Sequence, residues 1–350
     1  MNKLQSIGYP IYFNNALAKL AGFIKTGNYS RFFVLTDKNT GQYCLPALKE
    51  NLESYFEVIE IDAGEESKNI NSCVDIWEKL IGFGADRQSL LVNLGGGVIS
   101  DLGGFAASTY KRGIDFVHVP TTLLSQVDAS VGGKTGIDLD NIKNIIGTFT
   151  QPKAVFIEHS FLGSLPPRQI LSGVAEMLKH GLIADVGYWN KLRACDLKNP
   201  SAELVYHSVE IKNKVVIEDP NEKGIRKSLN YGHTIGHAIE TWSLTHDADP
   251  LTHGEAIAAG MICEAKLSAM KAGLSDGELA EIRDVILKLY PKYRLDKANF
   301  GAIYSIMLKD KKNQSGKINA SLLTRVGQCR IDNICTEDEI YESLDYYLSL

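Results

Sequence analysis

Short hydrophobic runs alternate with amphipathic stretches through the first half of the 350-residue chain. The runs predict β-strands at 31–37, 55–64, 89–97, 115–122 and 153–158. Between them, stretches such as LPALKENLES and INSCVDIWEKLIGFG place apolar residues at helical spacing. Strand and helix in this alternation predict a mostly parallel sheet covered by helices on both faces.

The pattern changes after SLPPRQ at 164–169, where long helical periods replace the strand signals. The helical stretches are ILSGVAEMLKHGLI, SAELVYHSVEIKNKVV, GHTIGHAIETW, GEAIAAGMICEAKLSAMKAG and DGELAEIRDVILKLY. We therefore predict two domains: an α/β domain with a Rossmann-like parallel sheet over residues 1–160, and an all-α domain over residues 161–350.

Composition narrows the classes of partner. The net charge is -5 and no basic block stands out, so the electrostatic footprint of a nucleic-acid binder is missing. We find no uncharged apolar stretch of about 18 residues, so no membrane partner is expected. The first residues, MNKLQSIGYPIYF, lack the apolar core of a secretory signal, and the six cysteines form no CxxC pair. These features predict free thiols and a cytoplasmic protein.

The segment LVNLGGGVISDLGGF has the strongest local signal of the first half. A predicted strand runs into Gly95, Gly96 and Gly97, and Asp101 follows before a helical stretch. Glycines at the carboxyl end of a parallel strand admit a ligand close to the backbone, and the next helix N-terminus favours anions. The GxGxxG spacing is absent. A dinucleotide pyrophosphate site and an unliganded tight turn both remain open on this feature alone.

A second glycine-rich segment covers residues 127–147. Gly132 and Gly133 precede Lys134 as in a shortened phosphate loop, although the full phosphate-loop pattern is not satisfied. Lys134, Lys143 and Asn144 are candidates for holding an anion. The alternative is a polar loop with solvated lysines.

Metal-ligating residue types cluster in the second half. His233 and His237 lie four residues apart on one helical face, with His253 further along the chain. Glu176 and Lys179 share another helix. A carboxylate and two imidazoles would leave positions open for substrate oxygens on a divalent cation. For the remaining histidines we expect ordinary polar contacts: His118, His159, His180, His207 and His246.

Five segments together resemble the signature blocks of the 3-dehydroquinate synthase family, within the sugar-phosphate cyclases. They are GGGVISDLGGFAASTYKRGIDFVHVPTTLLSQVDASVGGKTGIDLDNIKNIIG, SLPPRQILSGVAEMLKHGLI, IEDPNEKGIRKSLNYGHTIGHAIE, LTHGEAIAAGM and LKDKKNQSGK. They follow the family's order and cover roughly residues 60–340, with VLTD near the start.

The resemblance implies a homodimer in which an NAD-binding α/β domain and an α-helical domain flank the active site. It implies that Glu176, His233 and His253 bind one Zn2+ or Co2+, while His237 faces the leaving phosphate instead of the metal. It assigns NAD contacts to Asp37, Glu65, Lys68, Gly95, Gly96, Gly97, Asp101, Thr121, Thr122, Lys134, Lys143 and Ser164. It assigns substrate contacts to Asp128, Lys134, Asn144, Lys179, Lys212, Arg226, Asn230, His237, one lysine of the DKK run (Lys311, with Lys312 as the alternative) and, from the neighbouring subunit, Arg112.

The implied reaction is that of a lyase of the shikimate pathway, which leads to chorismate and the aromatic amino acids. The sugar phosphate 3-deoxy-D-arabino-heptulosonate 7-phosphate would be oxidised at C5 by NAD, lose phosphate, be reduced again and close to 3-dehydroquinate. Two departures stand out. Ser100 replaces a glycine, which questions the tightness of the NAD turn, and WSLTHDADP adds residues that make His246 a rival to His253.

Three other functions stay open at this point. A different cyclase, acting on sedoheptulose 7-phosphate or glucose 6-phosphate, would share NAD, metal and phosphate elimination. Lys212, Arg226 and Asn230 favour a substrate that carries a carboxylate. A metal-dependent polyol dehydrogenase would explain the glycine turn but not the many cationic substrate residues. A binding protein without activity would not need the complete ligand set.

Overall fold

A computed structural model describes residues 3–139, 142–309 and 317–350. Its residues divide into two compact units. The first comprises the described residues up to Pro166 together with Lys212–Ile217, and the second comprises Pro167–Ile211 and the described part of Glu218–Leu350. Lys212 therefore groups with the α/β unit, although it lies in the helical half of the sequence.

The first unit contains nine strands and five helices among its described residues. The strands are β1 (Lys3–Gln5), β2 (Pro10–Phe13), β3 (Phe32–Asp37), β4 (Glu57–Ile61), β5 (Leu90–Gly95), β6 (Asp115–Pro120), β7 (Lys134–Leu139), β8 (Ile142–Phe149) and β9 (Val155–Ile157). The helices are α1 (Ala16–Thr26), α2 (Lys38–Tyr43), α3 (Leu45–Asn51), α4 (Ile70–Gly82) and α5 (Gly97–Thr109). The five strands predicted from the hydrophobic runs are confirmed as β3, β4, β5, β6 and β9.

Seven of these strands form one sheet in the order β1-β2-β9-β6-β5-β3-β4. Only the β1–β2 pair is antiparallel. Successive side chains alternate between the faces: Phe33 packs with α4 and α5, and Val34 packs with α1 and α3 on the opposite face. Both faces are covered, which explains why the strands read as continuous apolar runs instead of alternating ones.

The strand order changes its direction between two neighbouring strands of the sheet, β3 and β5. The chain passes from β3 outward to β4, then crosses back to β5 on the other side of β3. The direction of winding thus changes between β3 and β5, and ligands of open α/β sheets bind outside the carboxyl ends of such strands. Asp37 ends β3 and Gly95 ends β5, so both lie at this carboxyl edge.

The glycine-rich segment 127–147, which the sequence suggested as an anion-binding loop, forms mostly the antiparallel hairpin β7–β8. Its glycines serve the pairing of the strands. A Cβ on Gly136 would lie 2.6 Å from the carbonyl oxygen of Ile146, and one on Gly147 would lie 2.2 Å from that of Thr135. The two backbones approach too closely for side chains at these positions.

The second unit is rich in helices. They are α6 (Pro167–Ala184), α7 (Val186–Ala194), α8 (Ala202–Glu218, of which Lys212–Ile217 group with the first unit), α9 (His233–His246), α10 (His253–Lys271), α11 (Asp276–Leu289), α12 (Phe300–Leu308) and α13 (Glu337–Ser349). The unit is not all-α as expected, because β10 (Ile318–Arg325) and β11 (Gln328–Cys335) form an antiparallel hairpin. Its sequence signal is the alternation of apolar Ile318, Ala320 and Leu322 with polar residues.

Helix α10 is the centre of the second unit. Thirteen of its fifteen residues from Gly254 to Ser268 are buried. A helix that is apolar on every side must be surrounded by other elements, and α6, α9, α11, α13 and β10 pack around it. Among the described helices, none is both long and apolar enough to cross a membrane.

Candidate cofactor and metal sites

The turn from β5 into α5 forms a cradle at the sheet edge. A Cβ on Gly95 would lie 2.5 Å from the Ile99 side chain, and one on Gly96 would lie 3.1 Å from Thr122 Cγ2. Gly96 is the N-cap of α5, and no described side chain caps it. The first N–H groups of a helix need an external acceptor. This end of α5 thus fits a phosphate-bearing ligand such as a dinucleotide.

The two threonines after β6 lie beside this cradle. The backbone N–H of Thr121 donates to the carbonyl oxygen of Gly95 at 3.0 Å. Its Oγ1 is buried without a hydrogen-bond partner among the described residues. A buried hydroxyl of this kind carries a free-energy penalty of about 1–3 kcal/mol unless something pairs with it. Thr122 instead forms a turn with Ser125, whose N–H donates to Thr122 Oγ1 at 3.2 Å.

A buried lysine links the predicted cofactor residues of the first unit. Lys68 Nζ lies 2.9 Å from Asp101, 3.5 Å from Glu65 and 3.9 Å from Asp138. Burial alone would lower the pKa of Lys68, but the three carboxylates outweigh it and raise that pKa above its ordinary value. Lys143 Nζ lies 3.7 Å from Glu65. The network therefore brings together Glu65, Lys68, Asp101 and Lys143.

Asp138 is a member of this network that the sequence did not single out. Its backbone N–H donates to the Lys68 carbonyl oxygen at 2.8 Å, and its Oδ1 accepts the Asn144 N–H at 2.7 Å. It therefore ties the segment before α4 to the β7–β8 hairpin. Spacing offered no signal for it, because Asp138 lies far from Lys68 in sequence.

Asp37 has a local partner already. Its Oδ1 accepts the N–H of Thr40 at 2.9 Å, so the carboxylate caps α2 at the carboxyl end of β3. Ser164 donates to the carbonyl oxygen of Phe161 at 3.1 Å, in a 3₁₀ segment over His159–Ser164. Neither side chain has a described contact with the Gly95–Gly97 turn.

The family pattern suggested that Ser100 lies in the glycine turn, but the structure places it inside α5. It is the fourth residue of α5, and its N–H donates to the Gly96 carbonyl oxygen at 3.0 Å. The serine therefore leaves the Gly95–Gly97 turn unchanged. Its hydroxyl is buried without a partner in the described part of the chain.

Several predicted substrate residues also belong to the first unit. Lys212 Nζ lies 2.8 Å from the Asp128 carboxylate and donates to the Asp128 carbonyl oxygen at 2.5 Å. Lys134 and Asn144 are exposed on the β7–β8 hairpin, and Asn144 has a left-handed backbone with φ +54°. Arg112 is exposed with φ +72°, between the equally left-handed Lys111 and Gly113. A run of left-handed residues is strained and often functional.

In the second unit, two imidazoles converge on one carboxylate oxygen. Nε2 of His233 and Nε2 of His253 each lie 3.2 Å from Oε1 of Glu176. One nitrogen atom from each of His233, His237 and His253 lies within 4.8 Å of the other two. Glu176 is buried on α6, His233 begins α9 and His253 begins α10. The fold thus assembles four potential metal donors from three helices.

The opposite nitrogens of the two imidazoles have partners of their own. Nδ1 of His233 lies 3.1 Å from the carbonyl oxygen of Tyr231, and Nδ1 of His253 lies 3.3 Å from Oε2 of Glu240. A carbonyl and a carboxylate accept hydrogen bonds, so with a cation between the rings and Glu176 both imidazoles would carry their proton on Nδ1 and present the Nε2 lone pair to that cation. This donor set fits a zinc-like divalent cation.

The charges around Glu176 favour its ionised form. Burial alone would raise its pKa, but Lys179 and His233 hold the pKa well below the ordinary value. Lys179 Nζ pairs with Glu176 Oε2, one turn along the same helix. Burial lowers the pKa of His233. Burial would also lower the pKa of His253, but Glu240 and Glu176 together raise it to about 9.

Close packing of α9 on α10 fixes the positions of the histidines. A Cβ on Gly260 would lie 2.0 Å from the carbonyl oxygen of Gly232, and one on Gly232 would lie 2.5 Å from Met261. Glu264 of α10 accepts the N–H groups of Gly232 and Ile235 at the start of α9. Glu264 was not predicted from the sequence, because nothing in its own segment marks a carboxylate that caps another helix.

The segment before α9 carries the remaining predicted substrate residues. Asp219 accepts N–H groups of Gly224 at 2.6 Å and Arg226 at 3.1 Å. Arg226 is buried and donates to the carbonyl oxygen of Pro220 at 2.7 Å. Asn230 donates to Glu222 at 3.0 Å. The segment is thus held in place by its own polar contacts.

His246, the rival to His253, lies at the exposed end of α9 and stacks on Trp242 with the ring centroids 3.5 Å apart. Its described contacts are with Thr245 and the Trp242 carbonyl oxygen. His253, and not His246, therefore has the contacts expected of a ligand. The predicted substrate residue Lys311 lies outside the described residues.

Comparison with known families gives two consecutive matches. The family model described as "3-dehydroquinate synthase N-terminal" matches residues 58–172. The one described as "3-dehydroquinate synthase C-terminal" matches residues 173–313. Together they span well over half of the chain and include the glycine turn, Lys68, Glu176 and the three clustered histidines.

Individual relatives agree with these matches. The chain is 43% identical over 336 residues to a 3-dehydroquinate synthase of Parabacteroides distasonis, covering 94% of this chain and 95% of the relative. It is 42% identical to one of Campylobacter concisus, covering 82% and 83%. Among solved structures, a 2-deoxy-scyllo-inosose synthase complexed with carbaglucose-6-phosphate, NAD+ and Co2+ has a TM-score of 0.87 and 25% identity, covering 97% of this chain and 98% of that one.

Proposed function

The chain belongs to the 3-dehydroquinate synthase family, and from this premise we propose that it converts 3-deoxy-D-arabino-heptulosonate 7-phosphate to 3-dehydroquinate and phosphate. The observation that carries the proposal is the convergence of His233 and His253 on Glu176, beside Lys179. A buried carboxylate, two oriented imidazoles and an ammonium group suit a metal-dependent reaction of an anionic sugar. The protein is then a carbon–oxygen lyase of the shikimate pathway.

Two groups complete the chemistry in this proposal. When bound, NAD supplies reversible hydride acceptance at C5, and Zn2+ or Co2+ supplies Lewis-acid polarisation of the neighbouring substrate oxygens. We assign NAD binding to the domain over residues 1–160 and metal binding to the domain over residues 161–350. Among the described residues, no side chain caps the start of α5 and none pairs with the Thr121 hydroxyl, and both observations support the first assignment.

The NAD residues of this chain act by position and charge. The N–H groups at the start of α5 would pair with the pyrophosphate, and Gly96 leaves the room that a side chain would fill. Lys68 holds Glu65 and Asp101 at fixed distances, so these carboxylates are ready to accept hydroxyl hydrogen bonds. Asp37, Thr122, Lys143 and Ser164 remain part of the proposed NAD set.

The substrate residues divide by charge. Arg226, Lys179 and Lys212 are buried cations, and such groups pair with carboxylate and phosphate more strongly than exposed ones. We assign Arg226 and Asn230 to the substrate carboxylate, and His237 to the leaving phosphate. Asp128, Lys134, Asn144 and Lys311 complete the proposed set. The protein's part is then mainly to hold the reacting groups in register.

We also propose a cytoplasmic homodimer. The six cysteines form no disulfide, as expected in a reducing compartment. Arg112 is exposed in a strained turn, which suits a side chain that reaches a neighbouring subunit's phosphate. Mixing two inactive variants, Arg112→Ala and Lys179→Ala, tests this arrangement. Recovery of part of the activity in mixed dimers supports it, whereas a monomer in light scattering contradicts it.

A different sugar-phosphate cyclase is the alternative that the structural neighbour favours, because that neighbour is a cyclase complexed with carbaglucose-6-phosphate. Glucose 6-phosphate and sedoheptulose 7-phosphate lack a carboxylate. The buried guanidinium of Arg226 would then have no anionic partner on the substrate. We therefore favour the heptulosonate substrate.

The deciding experiment supplies each sugar phosphate with catalytic NAD and a divalent metal, and follows phosphate and 3-dehydroquinate. Equal amounts of both products from the heptulosonate, abolished by a chelator and restored by metal, without net NADH, support the proposal. Phosphate only from one of the other sugars replaces it with a different cyclase. Steady NADH accumulation with a simple polyol replaces it with a dehydrogenase.

A further inference from the structure

Glu240 is a buried carboxylate for which the proposed reaction has no role. It lies on α9, seven residues and thus about two turns after His233, and therefore on the same face of the helix. Its side chain is 4% exposed. Its Oε2 lies 3.3 Å from Nδ1 of His253, which is the first residue of α10. The other nitrogen of that ring meets Glu176 at 3.2 Å.

We propose that Glu240 is a positioning residue that orients His253 as a metal ligand. The carboxylate accepts the Nδ1–H bond, which fixes the ring plane and leaves the Nε2 lone pair free for a metal ion beside Glu176. Hydrogen bonding of a ligand imidazole to a carboxylate also makes the metal-facing nitrogen a better donor. The inference rests on the metal site of the proposed function and assigns to it a residue from outside the ligand set.

His233 and His253 differ in the groups that fix the orientation of their rings. His233 donates to the neutral carbonyl of Tyr231, two residues before it on the same chain segment. Its orientation is therefore fixed by local backbone. His253 opens a helix and has a side chain 25% exposed, against 11% for His233. It therefore depends more on a partner from another helix, and Glu240 is that partner.

The burial of Glu240 agrees with this role. An ionised carboxylate in the interior is stable only when it is paired and hydrogen-bonded. Replacing one partner of such a pair is destabilising, because the other partner stays buried without its hydrogen bond. Removing Glu240 should thus release the His253 ring, while Glu176 and His233 keep their own contacts.

The test measures metal affinity and not turnover. Apoprotein of the wild type, Glu240→Gln and Glu240→Ala is titrated with Zn2+ against a chromophoric chelator, and with Co2+ by its visible spectrum. Loss of an outer hydrogen-bond partner weakens metal binding by roughly 10–100-fold. We expect this loss for Glu240→Ala and about a tenfold loss for Glu240→Gln, which keeps the volume and one acceptor. Glu281→Gln, a partly exposed glutamate in the same unit, is the control and should bind like the wild type.

A positioning role and a purely structural role of Glu240 give different results in these titrations. If Glu240→Ala does not fold, the near-isosteric Glu240→Gln decides the matter. Wild-type affinity and an unchanged Co2+ spectrum in the folded Glu240 variants overturn the inference, even if their thermal stability falls. Because no sugar phosphate is present, weakened metal binding supports it regardless of which substrate the wild type accepts.

Discussion

Glu264 Oε2 accepts the backbone N–H of Gly232 at 2.8 Å, so a carboxylate on α10 caps the start of α9. Its Oε1 accepts the N–H of Ile235 at 3.0 Å, and the side chain is fully buried. Gly232, the N-cap of α9, has φ +80° and offers no side chain of its own. The helix that carries His233 and His237 is therefore held at its first turn by a neighbouring helix.

Replacement of Glu264 by Gln should destabilise the protein by about 1.5–3 kcal/mol, the range for hydrogen bonds to charged groups. The amide has one oxygen for two N–H donors, so its NH2 group would oppose one of them. Urea unfolding of the variant measures the loss, with Glu218→Gln as the control, because Glu218 is exposed at the end of α8. A change below about 0.5 kcal/mol, which is typical of ordinary surface substitutions, would contradict the capping role.

Replacement of Gly260 by Ala should be severely destabilising, by more than about 2 kcal/mol, because overpacking forces the backbone to move. The new Cβ would lie 2.0 Å from the Gly232 carbonyl oxygen and 2.6 Å from the Gly236 nitrogen. Gly277→Ala is the matched control, because Gly277 lies in α11 with nothing within 4 Å of the new Cβ. It should be neutral or stabilising by up to about 1 kcal/mol. Equal unfolding midpoints for the two variants would refute this account of the α9–α10 packing.

The fold could be predicted from the sequence wherever the hydrophobic residues of a segment follow the pattern of a single strand or a single helix. β3 and β5 follow from continuous apolar runs, and α10 follows from a long helical pattern. The hairpins were not predicted, for two different reasons. β7 and β8 contain glycines and charges that also suit a loop, and their pairing depends on the close approach of Gly136 and Gly147. Apolar and polar residues alternate in β10 and β11, but these two strands are short and follow a long series of helical segments.

The candidate sites, too, could be predicted only as far as local sequence patterns reach. Helical spacing alone paired His233 with His237, because it records only neighbours on one helix. The contacts of Glu176 with His233 and His253 join α6, α9 and α10, which are far apart in sequence. Asp138, Glu240 and Glu264 act on residues of other elements. No local pattern marks such side chains, so only the fold reveals them.

Replacement of Lys68 by Met should weaken NAD binding by at least about tenfold, because the carboxylates that the lysine holds together would repel one another. The methionine fills the space but leaves Asp101, Glu65 and Asp138 without their shared cation. Titration of NADH by fluorescence gives the affinity. Lys38→Met is the control, because the Lys38–Asp62 ion pair is exposed and surface pairs contribute little. Unchanged affinity in the Lys68 variant would separate this cluster from the cofactor site.

His118 should make the protein less stable as the pH falls below about 6.5, the ordinary pKa of histidine. Burial lowers the pKa of His118 from 6.5 to about 3, so the folded protein keeps it neutral while the unfolded chain takes up a proton. The unfolded state therefore gains protons in this window, and linkage predicts a loss of about 2 kcal/mol at about pH 5 relative to about pH 8. His118→Gln should lose that part of the pH dependence. Urea unfolding of both proteins at the two pH values provides the test, and equal slopes would disprove it.

The metal ligands can be separated from the nearby histidine by single substitutions. His233→Ala and His253→Ala remove nitrogens that face Glu176, so each should markedly lower metal affinity. His237→Ala should keep a full equivalent of Zn2+ and lose turnover, because we assign this imidazole to the leaving phosphate. His246→Ala is the control with intact metal binding and activity, since that ring stacks on Trp242 in an exposed position. Elemental analysis after gel filtration measures the bound metal. Loss of the metal from His237→Ala would show that the three clustered histidines bind it together, and Glu176 would then act as their charged neighbour instead of as a ligand.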